Sequence, residues 1–218
     1  MCGRYTLKTN LQTIAPVFNV APTLETKPRY NIAPTQEVVS IMGDDGTKHL
    51  AWLRWGLIPK WAKSASIGSR MINIRADTLG EKPSFRRLLD SKRCLMVADG
   101  FYEWKEENGV KYPIYYTLKD QEPFAFAAIW DSWTNPQGEQ IRSCGMITTD
   151  PNDLVAQVHN RMPVILLKQA RQEWLNTEIH DTKFLESLLV PFPADEMTAR
   201  QVSRAVNNVA VDNPSVLA

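Results

Sequence analysis

An α+β fold is expected for this chain of 218 residues, with a curved, mainly antiparallel sheet or barrel-like core flanked by short helices. Two features carry the expectation. Strand-like segments outnumber helical ones, and most are joined by hairpin-like turns, which argues against a doubly wound parallel sheet. The length suits one domain, residues 1–218, with ample chain for a core. A hydrophobic content of 44% and a charged content of 22% are ordinary for a soluble globular protein.

The elements follow in order. "TNLQTIAPVF" predicts a short helix started by Asn10 and limited by Pro16. "EVVSIMG", "DDG" and "KHLAWLRWGL" read as strand, turn and strand. "IPKWAKSASIGSRMINIRA" is irregular and basic, a loop. "KPSFRRLLDSK" places Phe85, Leu88 and Leu89 at helical spacing. "RCLMVADGFYEWK" is a buried strand broken at Asp99-Gly100, and Asn108-Gly109 is a strong hairpin signal after it. "FAFAAIWDSW" and "IRSCGMITT" are two more strands, joined by "TNPQGEQ". "DPNDLVAQVHN" is a short helix, "QARQEWLN" and "DTKFLESLL" are helical, and "VSRAVNNVAVDNP" predicts a last strand and an end loop.

No segment approaches 18 uncharged apolar residues, and the first thirty residues have no signal-peptide core, so no membrane partner is expected. Three cysteines, Cys2, Cys94 and Cys144, stand far apart with no C-x-x-C pair. That argues against a disulfide framework and a zinc site, and it fits a reducing cytoplasm. Cys94 and Cys144 lie in apolar runs and read as small buried hydrophobes. Net charge is only +1, but Arg54 to Arg93 holds ten basic residues against three acidic ones. That segment is +7 and leaves about −6 for the remainder. Such a stretch is either a solvated surface or a face able to hold a few phosphates.

Several residues are candidates for chemistry, each with an ordinary alternative. Cys2 becomes the N-terminal residue if Met1 is removed, and it then carries a thiol and a free α-amine on adjacent carbons. Otherwise it is incidental to a disordered terminus. Arg4 would place a permanent cation near the thiol and favour the thiolate. Glu103, on one face with Phe101, is either an exposed hairpin edge or a partly buried carboxylate of raised pKa. His159 is either a cation at a helix C-terminus or a proton donor and acceptor, with Arg161 two residues on offering a fork for phosphate. Asn73 and Arg75 face the same way if extended, suited to loop hydrogen bonds or to a sugar hydroxyl and a phosphate. Trp52 and Trp55 read as core. Trp61, between Lys60 and Lys63, suits stacking on unpaired bases.

Together "MCGRY", "RYNIAPTQ", "WGLIPKWA", "NIRADT", "RCLMVADGFYEWK", "HNRMPVIL" and "VSRAVNN" resemble the successive motifs of the SOS-response-associated peptidase family, over residues 1 to about 208. The resemblance implies a sensor of abasic sites in single-stranded DNA, including those at single-strand/double-strand junctions. In that family the terminal cysteine captures the aldehyde of the opened deoxyribose as a thiazolidine, a DNA–protein crosslink that shields the lesion. It implies Cys2 as the crosslinking residue, Asn73 as the asparagine positioning amine and sugar, Glu103 as the acid/base and His159 as the histidine near the deoxyribose. Arg4, Arg75 and Arg161 match phosphate contacts, and Asn31, Pro34 and Trp61 match positions along the DNA path. The chain departs from the family at Asp77, where many relatives carry glutamate, and at Ala62, where some carry a second tryptophan. No cofactor and no metal is implied, and a cytoplasmic monomer that joins the nucleoid during repair is expected. Three other activities share these residues: a class II glutamine amidotransferase, which also begins "MCG"; a thiol peptidase using Cys2 and His159, self-processing or otherwise; and a non-covalent single-strand binding module. Strand cleavage by β-elimination could accompany crosslinking.

Overall fold

The computed structural model describes residues 2–44 and 46–218. Met1, on whose removal the reading of Cys2 turns, and Asp45, in the expected turn before Gly46, lie outside the described residues.

The chain begins with β1 (Arg4–Leu7) and α1 (Leu11–Phe18). Asn10 caps α1 by accepting from the Thr13 amide. The helix does not stop at Pro16: it runs two residues further and ends where Asn19 turns left-handed at φ 51°. Proline lacks an N–H, but its fixed φ is helical, so a helix this short tolerates it near its end. Then come β2 (Arg29–Ile32), β3 (Glu37–Asp44) and β4 (Thr47–Trp55), the last two forming the expected hairpin. The expected loop leaves at Gly56, whose φ of 125° and contact with the backbone of Gly68 leave no room for a Cβ. It contains one 3₁₀ turn (Ala65–Arg70) and returns as a three-residue strand, β5 (Asn73–Arg75).

α2 (Pro83–Ser91) and β6 (Arg93–Ala98) follow, and β7 (Gly100–Glu107) and β8 (Val110–Leu118) make a hairpin through left-handed Asn108 and Gly109. β9 (Phe124–Thr134) and β10 (Gln140–Thr149), the two longest strands, pair with each other. α3 (Asp153–Ala156), capped by Asn152, precedes β11 (Met162–Pro163), α4 (Lys168–Leu175), α5 (Thr182–Ser187) and β12 (Met197–Gln201). The last strand therefore lies before the predicted place. "VSRAVNN" itself forms a 3₁₀ turn (Arg204–Asn207), because Val202 and Val206 pack on the sheet rather than alternating along a strand.

The fold is α+β, as expected, but with two sheets. β9, β10, β4, β3 and β6 pair in a closed ring, since β6 pairs back onto β9. A ring of five strands cannot be antiparallel throughout; the one parallel contact falls between β4 and β10 at Trp55 and Cys144. β5 adds in parallel to the same edge of β10 beyond β4, and β11 pairs with the end of β10. The second sheet runs β12-β8-β7-β1-β2, all antiparallel. Asp99 is the hinge between them: β6 belongs to the ring and β7 to the open sheet, which is why the apolar run breaks there. One face of the open sheet meets the barrel through Tyr5, edge-on to Trp55 and Phe126, and through Phe101. The other face, with Tyr102 and Tyr115, is covered by Val202, Val206 and Val216 of the C-terminal segment. Among the described residues no helix is long and apolar enough to cross a membrane.

The Asp99 carboxylate is buried and accepts from the Thr6 hydroxyl at 2.6 Å, the Lys8 and Thr9 amides at 2.7 Å each, and the Thr9 hydroxyl at 2.8 Å. It thereby ties the exit of β1 to the sheet hinge. Asp99→Ala leaves these donors unpaired, and its urea midpoint should fall by the equivalent of about 3 kcal/mol or more.

Candidate active site

β1 brings the start of the chain into the core. Its register against β7 pairs Arg4 with Tyr102 and Tyr5 with Phe101, so the residues before Arg4 run alongside Glu103. Cys2 is only 1% exposed. Asn73, at the start of β5, donates from Nδ2 to the Cys2 carbonyl at 2.9 Å, while its Oδ1 is buried with no hydrogen-bond partner among the described residues. An asparagine held this way has one acceptor left to offer a ligand's N–H or O–H.

The thiolate that Arg4 favours on sequence grounds is not what this site favours. Burial pushes the Cys2 thiol well above its ordinary value, and the nearby Glu103 carboxylate pushes it further; the Sγ–H donates to the Arg4 carbonyl at 3.6 Å. Arg4 is itself committed elsewhere. Its Nη1 donates to Asn31 Oδ1 at 3.0 Å and to the Val206 carbonyl at 2.6 Å.

Glu103 is 2% exposed and shares the inner face of β7 with Phe101. Burial lifts its carboxyl to about 7, so of the two sequence readings the structure has the buried, shifted carboxylate. His159 follows α3, with its amide bonded to the Val155 carbonyl. Its Nδ1 accepts from the Arg161 amide at 3.0 Å, so the proton of the neutral ring sits on Nε2. Desolvation lowers its pKa, which favours this neutral form near pH 7. Arg4, Glu103, Trp104, Lys111, His159 and Asn207 line a cleft of about 440 Å³ beside Cys2.

The remaining candidates fall outside this cleft. Arg75 shares the outward face of β5 with Asn73, is exposed, and is held by Asp77, which raises the guanidinium pKa while its own is lowered. Arg161 is buried, bonded to Asp150 at 2.9 Å and to the Thr148 carbonyl at 2.6 Å, and lies 3.7 Å from Asp77. Two of its nitrogens are therefore engaged by the protein; Nε is buried with no partner among the described residues. Asn31 is fully buried and donates to the carbonyls of Val206, Asn208 and Val211, so it holds the C-terminal segment. Pro34 is half-buried, next to Thr35 at φ 72°. Trp61 is 62% exposed and lines a separate cleft of about 430 Å³ with Pro59, Lys60, Phe85 and Arg87. Trp52 and Trp55 pack in the core as expected.

Three cleft residues were not singled out by the sequence: Trp104, Lys111 and Asn207. The hairpin register carried a signal for Lys111. With Asn108-Gly109 as the turn, Lys111 pairs with Glu106 and Pro113 with Trp104, so Lys111 and Trp104 stand on one face. Asn207 accepts from Trp104 Nε1 at 2.7 Å, a tertiary contact that no local pattern announces.

The model of the SOS response associated peptidase (SRAP) family matches residues 1–209. The abasic site processing protein YoqW of Bacillus subtilis is 46% identical, with all of this chain and 99% of the relative covered. The chicken (Gallus gallus) abasic site processing protein HMCES is 31% identical over 88% of this chain and 66% of its own length. A crystal structure of a protein from Bacteroides thetaiotaomicron superposes with a TM-score of 0.87 at 28% identity, covering 99% of this chain and 98% of that one.

The raised pKa of Glu103 makes stability depend on pH. Between its ordinary value of 4.5 and about 7, the folded chain holds a proton that the unfolded chain has released. Stability therefore falls as pH rises through that window. Glu103→Gln abolishes this dependence. By urea unfolding, the variant should exceed the parent by roughly 3 kcal/mol at pH 8, with the difference gone near pH 4.

Proposed function

The chain belongs to the SOS response associated peptidase family, and from that premise we propose that it processes abasic sites in single-stranded DNA by bonding covalently to them through Cys2. The observation that carries the reading is the juxtaposition of Cys2 with Glu103 and Asn73 beside a cleft lined by Arg4 and His159.

The chemistry begins with removal of Met1, which frees the Cys2 amine. The closed deoxyribose of an abasic site opens to an aldehyde when its ring oxygen gains a proton; the Nε2–H of neutral His159 suits that oxygen. The amine nitrogen adds to the aldehyde carbon, and the carbinolamine loses water to give an imine. Glu103, with a pKa of about 7, accepts the proton leaving nitrogen and returns one to the departing hydroxyl. The Cys2 sulfur then bonds to the imine carbon while its proton passes to nitrogen, closing a five-membered thiazolidine. The balance is one water released and no redox change.

Burial sets the order of these bonds. It disfavours the thiolate. The amine is therefore the first nucleophile and the neutral thiol the second. Exposed Arg75 and cleft-lining Lys111 suit the flanking phosphates, and exposed Trp61 suits an unpaired base at a junction. The protein acts as a monomer in this reading. β-Elimination from the imine, and removal of Met1 by the adjacent Cys2 thiol, are side activities consistent with the same groups.

Denaturing electrophoresis with a single-stranded oligonucleotide carrying one abasic site tests the reading. The processed chain should give a heat-stable adduct, whereas Cys2→Ala and a chain with a blocked N-terminus should give none. Glu103→Gln should form the adduct about 10²-fold more slowly. Binding that is wholly reversible would make the protein a non-covalent module, and ammonia release from glutamine would make it an amidotransferase.

A further inference from the structure

Two arginines are buried beneath the barrel, and they are treated differently. Arg93 donates to four backbone carbonyls, those of Leu89, Asp90, Trp174 and Asn176, so the fold takes up four of its five N–H donors. Arg171, 8% exposed on α4, makes one such bond, from Nε to the Leu166 carbonyl at 3.2 Å. Its guanidinium lies 4.7 Å from the Phe18 ring, and its Nη1 is buried with no hydrogen-bond partner among the described residues. A permanent cation so placed has surrendered hydration without an equivalent return.

Arg171 lines a cavity of about 150 Å³ together with Phe18, Asn19, Lys48, Lys168 and Gln172. Among the described residues no acidic side chain lines it. Lys48 donates to the Phe18 carbonyl at 3.3 Å, and Lys168 is paired at 2.6 Å with Glu122, which lies outside the lining. Three cations thus face a small space; the one carboxylate near them, Glu122, pairs with Lys168 and acts on Arg171 through space. The cavity is far from Cys2. Lys48 begins β4, whereas Trp55 ends it and bonds through Nε1 to the Ile72 carbonyl, next to Asn73. Seven residue steps of strand separate Lys48 from Trp55, or ~23 Å at about 3.3 Å per residue.

We propose that this cavity is a binding site for a small oxyanion of the phosphate class, separate from the cleft at Cys2. A guanidinium and two ammonium groups suit a tetrahedral dianion. The volume admits a lone phosphate and falls short of the roughly 300 Å³ or more that larger organic ligands need. The bound anion would join the end of α1, the start of β4 and α4, so occupancy would stabilise the fold by mass action. Burial lowers the Arg171 pKa only to about 10, which leaves the guanidinium charged at neutral pH.

Calorimetric titration of the full chain with inorganic phosphate, at ionic strength held constant with chloride, tests this. Saturable one-to-one binding and a phosphate-dependent rise in Tm are expected. Half-buried Lys48→Met and the charge-preserving Arg171→Lys should each weaken binding about tenfold or more, with thermal melts in chloride showing that both variants fold. A single-stranded oligonucleotide should not displace the phosphate. The proposal is overturned by the lack of saturable binding in the parent, by unchanged affinity in Lys48→Met, or by displacement with the oligonucleotide.

Discussion

The place of β1 between β7 and β2 is the constraint on which the rest of the structure depends. A chain terminus is ordinarily its least ordered part. Here four residues form a central strand, with Tyr5 buried against Trp55 and Phe126, and the Asp99 carboxylate gathers the backbone just beyond it. Cys2 therefore has a fixed address beside Glu103, and Asn73 reaches it from the barrel. Neither sheet alone contains the site: Glu103 comes from the open sheet, Asn73 from the edge of the ring, and His159 from the segment after α3.

One physical cause dominates the electrostatics there. Removal from water raises the Cys2 thiol, raises the Glu103 carboxyl to about 7, and lowers His159. In each case desolvation favours the uncharged form. A site of neutral groups suits proton exchange, since none of its members must first be stripped of a counter-ion. A carboxyl poised near neutrality can act in both directions, which a carboxylate at its ordinary pKa does poorly.

Much of this was legible in the sequence where the information is local. The hairpin at Asn108-Gly109, the Asn10 cap and the break at Asp99-Gly100 were each written in one to three residues. What the break means was not: that the chain crosses there between two sheets depends on which strands pair, a long-range property. The tail strand was misplaced because Val202 and Val206 are apolar for the sake of a sheet they cover. The basic count over Arg54 to Arg93 misleads for a related reason. Arg93 is internal, Lys92 and Arg87 answer buried Asp131, and Arg75 answers Asp77. A tally along the chain sees charges, whereas the surface potential depends on which remain unpaired. Cys2, Glu103 and His159 could be nominated singly, but their burial, which decides their protonation, could not.

The C-terminal segment meets β1 at the cleft. Arg4 is anchored by Asn31 and by the Val206 carbonyl; Asn31 holds three carbonyls of the C-terminal segment; Asp212 accepts from the amides of Tyr30 and Asn31; Asn207 takes the Trp104 indole proton. Arg4 has given up side-chain freedom during folding, to a segment some 200 residues away in sequence. The C-terminal segment thus acts as a brace: it contributes Asn207 to the cleft wall, while its carbonyls fix the guanidinium and, through β1, the terminus that carries Cys2. Cys2 is thus held twice, by the place of β1 in the sheet and by the C-terminal segment that braces Arg4.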